Sequence, residues 1–255
     1  MTVLADDLAA ALDPVAFAAR LGFVAEPWQE ALLRSTSRRQ LVACARQVGK
    51  TQTTALRAVH TALYQPDSLV LLISPSQRQS DELLRRCRAV YRACGRPLKA
   101  TAESTTELSL ENGSRLVSLP GTEGTSRGFA AARLLVLDEA ARVEDDIFAS
   151  VLPMVSSDGA IVALSTPWGQ RGWFHSLWAD TAGAWQRHKV SVYESSQYTP
   201  ERIAEVRASV GSYVFAADYE CVFGDTDQQL FGTEAVRRSF TNTVTPLFPE
   251  GTPTA

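Results

Sequence analysis

Gly49, Lys50 and Thr51, with Asp138 and Glu139 further along, are the residues of this chain whose types and spacing suit phosphate chemistry. The octet Cys44-Ala45-Arg46-Gln47-Val48-Gly49-Lys50-Thr51 follows the apolar run Gln40-Leu41-Val42-Ala43, which reads as a strand. It precedes residues 52–59, which read as a helix start. Strand, loop and helix N-terminus in that order is the setting of a phosphate-binding loop. There, backbone N–H groups and the helix dipole face an anion together. Lys50 would reach the β/γ-phosphates and the Thr51 hydroxyl would ligate Mg²⁺. Cys44 stands where such a loop usually has its first glycine, a departure that leaves the Gly-Lys-Thr chemistry in place.

The run Leu134-Leu135-Val136-Leu137 ends in the two carboxylates Asp138 and Glu139. An apolar run without alternation fits a strand buried on both faces of a parallel sheet. The C-terminal end of such a strand is where open α/β sheets bind ligands. Asp138 at that end can hold Mg²⁺ through water, and Glu139 can polarise a water for in-line attack on a γ-phosphate. Alone, the pair also suits a strand followed by an acidic helix start; with Gly49-Lys50-Thr51 upstream it reads as a hydrolysing NTPase. A glutamate at this place differs from the glutamine with which GTPase switches position water.

These side chains need a frame. Residues 1–20 read as an amphipathic N-terminal helix. Pro27-Trp28-Gln29 then opens a helix just before the phosphate loop. The Gln29 amide can read an adenine edge; Trp28 either offers that base an apolar face or sits in the core. Ser68–Pro75 is a second buried strand, and residues 77–93 form a helix carrying Arg78, Arg85, Arg86, Arg88 and Arg92. That face is either solvated or DNA-tracking. Residues 108–117 read as a hairpin whose Asn112-Gly113 suits a type I′ turn. A glycine-rich loop, residues 121–128, carries Arg127 before the acidic strand. Residues 160–167 form another buried strand that ends in Ser165-Thr166-Pro167 beside the phosphate loop, where the hydroxyls can bond the attacking water or the γ-phosphate region. Residues 1–184 thus read as an α/β P-loop NTPase core with a mostly parallel sheet flanked by helices. Residues 185–240 read as a small appended subdomain, with a helix start at Thr199-Pro200, and residues 241–255, rich in Pro and Thr, as a linker.

Composition limits the alternatives. The chain has 255 residues, is 45% hydrophobic and carries a formal net charge of -3. That suffices for a globular core, while the overall charge does not announce nucleic acid and leaves local patches free to bind it. Most of the cations are arginines, so Lys50 stands out beside Lys99 and Lys189. Cys44, Cys87, Cys94 and Cys221 have neither metal-ligand nor redox-motif spacing and read as free thiols in a reducing cytosol. No signal peptide or membrane-spanning stretch is evident.

The set resembles the ATPase domain of a double-stranded DNA bacteriophage large terminase, the DNA-packaging motor. The resemblance rests on Pro27-Trp28-Gln29, Arg46-Gln47-Val48-Gly49-Lys50-Thr51, Ser126-Arg127-Gly128, Leu135-Val136-Leu137-Asp138-Glu139-Ala140-Ala141 and Ser165-Thr166-Pro167, in the family's order. It implies ATP and Mg²⁺ as ligands, with Gln29 sensing adenine and Lys50 and Thr51 on the triphosphate and metal. Asp138 would be the Mg²⁺-side carboxylate, Glu139 the catalytic base, and Ser165-Thr166-Pro167 the coupling motif. Arg127 would act in trans on a neighbour's ATP, and Arg46 would sense the γ-phosphate in cis. Residues 185–231 resemble the family's lid. The resemblance further implies double-stranded DNA, a homo-oligomeric ring, a small terminase subunit and a capsid portal as partners, in the host cytoplasm. Family members continue into a nuclease domain; Asp225 and Asp227 here have no following strands to build a two-metal site, so no nuclease activity is expected of this chain. Two other functions fit parts of the pattern: a helicase or remodeller, which would need a second lobe, and an ATP-gated DNA-binding assembly protein, which would not need Glu139.

Overall fold

The apolar runs become strands because they bury side chains on both faces. A computed structural model describes residues 2–122, 128–224 and 238–239. Among them, eight strands form one sheet in the order β3-β4-β5-β2-β6-β7-β1-β8. The strands are β1 (Arg39–Cys44), β2 (Leu69–Ser74), β3 (Ala100–Glu103), β4 (Glu107–Leu110), β5 (Arg115–Pro120), β6 (Ala132–Asp138), β7 (Val155–Ser165) and β8 (Gln186–Val190). From β5 through β8 every neighbouring pair is parallel, whereas β3, β4 and β5 pair antiparallel. The helices are α1 (Thr2–Leu12), α2 (Pro14–Arg20), α3 (Pro27–Arg34), α4 (Lys50–Tyr64), α5 (Gln77–Ala93), α6 (Asp145–Val151), α7 (Gly172–Ala179), α8 (Pro200–Val210) and α9 (Ser212–Asp218).

Alternation along β6 divides the core. Leu134 and Val136 join the cluster containing Leu56 and Val59 of α4 and Leu83 and Tyr91 of α5. Leu135 and Leu137 join the other, with Ile147 and Phe148 of α6 and Trp173 and Phe174 of α7. Successive strand residues point to opposite faces, so helices cover both. Each fully buried leucine contributes roughly 1.5–3 kcal/mol.

Three local expectations change. The N-terminal helix is two: Asp13 breaks it, capping α2 by accepting from Val15 N at 2.9 Å, with Pro14 in the first turn of α2. The hairpin turn is not type I′, which requires positive φ at both central residues. Only Gly113 of the Asn112-Gly113 pair has positive φ (82°), and Gly113 N donates to Leu110 O. The loop is therefore a three-residue turn closed by a left-handed glycine, and the Asn112 amide instead donates to Ala62 O at the end of α4. Finally, β8, read as part of the appended subdomain, lies in the main sheet, parallel to β1. Described residues up to Gly224 form one compact unit, and Arg238 and Ser239 belong to a second.

Candidate active site

Strands β1, β6 and β7 end side by side, with Ala43 paired to Ser165 and Leu164 to Asp138. The residues singled out by spacing thus meet at one edge of the sheet, at its C-terminal side. Between β1 and α4 the loop needs two left-handed residues, Gln47 (φ 56°) and Gly49 (φ 88°). Cys44 is still within β1 and fully buried, so its position asks for no glycine. Ala45 N donates to Val190 O and Arg46 N to Asp218 O, so the anion cradle falls to the peptides from Gln47 to Thr51.

The Lys50 ammonium forms an ion pair with the Glu139 carboxylate. Burial alone would lower the Lys50 pKa. The negative groups around it, Asp138 and Glu139 among them, outweigh that and hold it raised, while burial pushes the Cys44 thiol up to about 12. Asp138 is buried; its pKa is raised by burial against the pull of Lys50. Its Oδ1 accepts from Glu139 N at 3.1 Å. Glu139 adopts a left-handed backbone (φ 52°), a costly conformation for this residue type that turns its carboxylate out of the strand line toward Lys50. A cleft of about 600 Å³ opens here, lined by Lys50, Thr51, Arg78, Gln79, Asp138 and Glu139. A carboxylate buried beside Thr51 and a lysine suits a Mg²⁺-bound triphosphate: Lys50 would hold the phosphates, and Thr51 and Asp138 the metal.

A second hollow of about 340 Å³ shares Gln79 and Glu139 and adds Arg46, Arg142 and Thr166. Ser165 is fully buried with an Oγ that has no hydrogen-bond partner, and Thr166 is buried beside it. Arg46 Nε donates to Asp218 Oδ2 of α9 at 2.7 Å. Gln47 accepts from Arg202 Nη2 at 2.9 Å. Two residues read as nucleotide contacts also make structural bonds. Trp28, 8% exposed, lies in the core with Nε1 donating to Glu26 Oε2. Gln29, 4% exposed, completes a capping box with Glu26, and its amide abuts Gly49. Arg127 lies outside the described residues.

The spacing did not reveal Arg142. A one-turn 3-10 helix (Ala140–Arg142) after Glu139 brings it 3.9 Å from Glu139 Oε2 and lays its guanidinium 4.1 Å over the Trp168 ring. The signal in the sequence was an arginine three residues after Glu139, legible only once the turn is known. Arg78 was read as part of a helix face, yet it lines the cleft. Arg85, Arg88 and Arg92 of that face are taken up by Glu82 and Glu103.

A parallel sheet with a phosphate loop after one strand and an Asp-Glu pair after another defines the P-loop NTPase class. Residues 41–238 match the family model described as terminase large subunit, T4likevirus-type, N-terminal, and the chain belongs to that family. The fold is similar to the large terminase ATPase domain of Thermus phage P74-26, with a TM-score of 0.73 and 21% identity, covering 83% of this chain and 99% of that one. It is also similar to the large terminase of bacteriophage HK97 (TM-score 0.66, 14% identity, 78% of this chain and 51% of that one). The large terminase of the thermophilic bacteriophage D6E, solved in complex with ADP, gives 0.65 and 10% over 78% of this chain and 54% of that one. The chain therefore spans about half the length of the HK97 and D6E proteins. A search of curated protein sequences found no significant match.

Proposed function

We propose that this chain hydrolyses ATP with Mg²⁺ and that the hydrolysis drives double-stranded DNA into a viral procapsid in the host cytoplasm. The observation that carries the reading is the Lys50–Glu139 pair in a cleft formed where α4 and β6 meet. Lys50 binds the β/γ-phosphates. As its ammonium turns to them, Glu139 is released and its carboxylate becomes free to accept a proton from the attacking water. Mg²⁺, when bound, neutralises charge on the phosphate oxygens. The Ser165 hydroxyl, buried and unpartnered, is available to the water or the γ-phosphate side, and Ser165-Thr166-Pro167 passes the change into the segment that leads to α7.

Arg127 serves as the arginine that completes a neighbour's site in a ring, and Arg46 senses the γ-phosphate in cis after leaving Asp218. The ring would hold DNA and work with a small terminase subunit and a capsid portal. Two measurements test this. Glu139→Gln should retain ATP and lose turnover by about 10²–10⁴-fold, the share of a general base. Specific ATPase activity should climb with protein concentration, since a trans arginine is worth about 10³–10⁵ in rate. Turnover unchanged in Glu139→Gln overturns hydrolysis by this site; activity flat with concentration removes Arg127 from the trans role.

A further inference from the structure

A further hollow lies apart from the nucleotide cleft. It measures about 820 Å³ and lies where β6 and β7 begin, at the opposite end of the sheet. Its walls come from the α1–α2 junction, the loop between α3 and β1, one face of α4 and the first residues of β6 and β7.

Its charge is unbalanced. Four arginines line it: Arg34, Arg38, Arg57 and Arg133. Arg34 pairs with Asp13 at 2.7 Å, and Arg133 pairs with Asp158. Arg38 and Arg57 pair with no carboxylate among the described residues. Arg38 Nη1 donates to Ser157 O at 3.0 Å. Arg57 Nη1 donates to Leu32 O at 3.0 Å and to Gln40 Oε1 at 2.5 Å. Those acceptors are neutral, so two positive charges stand uncompensated.

For Arg57 this is expensive. It is largely enclosed, and burial without an opposing charge pushes its pKa down to about 10. Buried guanidinium groups are ordinarily paired with an anion, because desolvation must be offset. Clamping the end of α3 through Leu32 O accounts for one nitrogen of the fork and leaves the charge unmet. The rim also holds Ser35, Ser37 and Thr61, whose hydroxyls donate to Gln186 Oε1, Arg39 O and Arg57 O, so the recognition falls to the guanidinium groups. Guanidinium forks in a concave site match the oxygens of a phosphate.

We infer that this cleft is a second anion site, distinct from the phosphate loop, that takes a phosphate ester through Arg57 and Arg38. The same chemistry is offered by a free nucleotide or pyrophosphate and by a nucleic-acid backbone. Arg57 lies seven residues beyond Lys50 on α4, roughly 10 Å along the helix, so both sites grip one rigid element.

The test uses the whole chain with its phosphate loop filled by a non-hydrolysable ATP analogue and Mg²⁺. Sodium pyrophosphate, and separately a short DNA duplex, are titrated at low salt by calorimetry. The expected result is binding of a further equivalent of pyrophosphate, weakened about tenfold or more in Arg38→Gln and lost in Arg57→Gln. Asp158→Asn, which frees Arg133, should tighten it several-fold. Arg38 and Asp158 are exposed, so those two variants carry the test should Arg57→Gln fail to fold. Duplex binding with the same response to Arg38→Gln and Asp158→Asn assigns the site to nucleic-acid phosphates; pyrophosphate binding alone assigns it to free phosphate esters. No pyrophosphate or duplex binding once the phosphate loop is filled, or binding indifferent to both substitutions, overturns the proposal.

Discussion

Lys50 and Glu139 neutralise each other across the cleft between α4 and β6. The cation that should hold phosphate and the carboxylate that should take a proton are each other's partner in the ligand-free protein. Neither is left as an isolated buried charge, which would cost several kcal/mol.

Lys50→Ala should weaken ATP binding by about 10- to 100-fold, the worth of one or two charge-assisted hydrogen bonds. It should also leave Asp138 and Glu139 without their cation. Equilibrium binding of a fluorescent ATP analogue measures this; affinity near that of the unaltered chain would show that the loop peptides suffice.

Arg142→Ala should lower kcat about tenfold, some 1.4 kcal/mol of barrier, with little change in KM. The reason is its place between Glu139 and Trp168. Trp168 is 42% exposed and follows directly on Ser165-Thr166-Pro167, so its fluorescence should change on ATP binding in the unaltered chain and not in Arg142→Ala. Trp168→Phe isolates that signal from the other tryptophans. A KM effect alone, or an unchanged fluorescence response in Arg142→Ala, would make Arg142 a packing residue.

Gly49→Ala should cost about 1–2 kcal/mol of stability, the penalty of a left-handed backbone for a residue with a Cβ. The new methyl would also press on Gln29 Nε2 at 3.0 Å. Chemical denaturation checks the magnitude. A loss of nucleotide affinity beyond the loss of stability would show that Gln29 sets the shape of the loop.

Stability should fall on mild acidification. Burial lowers the pKa of His60, and burial with repulsion from Arg57 lowers that of His188. Both are neutral when folded, while the unfolded chain takes up protons near its ordinary histidine value. Stability is therefore full above that value and is lost as pH falls from it toward the folded values, by up to about 1.4 kcal/mol per pH unit per proton. Denaturation at about pH 7.5 and about pH 5.5 measures it, and His60→Gln should flatten the slope. An unchanged slope would place the titration elsewhere.

The nucleotide end was legible because its chemistry is local. Gly49-Lys50-Thr51 and Asp138-Glu139 each sit at a strand end that an apolar run announces, and the structure brings the two segments together. What escaped notice depends on turns and on distant pairing. Arg142 comes to Glu139 only through a one-turn helix. Gln29 is occupied by a capping box whose first member is a glutamate, an unusual cap that the residue pattern does not advertise. β8 reads as part of an appended subdomain, since its place beside β1 is fixed by a partner about 150 residues away. The hairpin was foreseen and its turn was not, because the choice was made by Asn112 bonding to α4.

The two borders of the sheet bear on how copies of this protein can meet. β8 presents Gln186-Arg187-His188-Lys189, with Arg187 folded back to donate to Leu177 O and Trp178 O at the end of α7. β3, at the far border, is four residues long and ends in Glu103, which is held by Arg92. Short, charged borders resist the addition of another strand. Among the described residues these borders therefore disfavour a sheet shared between copies of this chain. Any association of copies would run through helices and loops, contacts that can slide and reseat without breaking a backbone ladder.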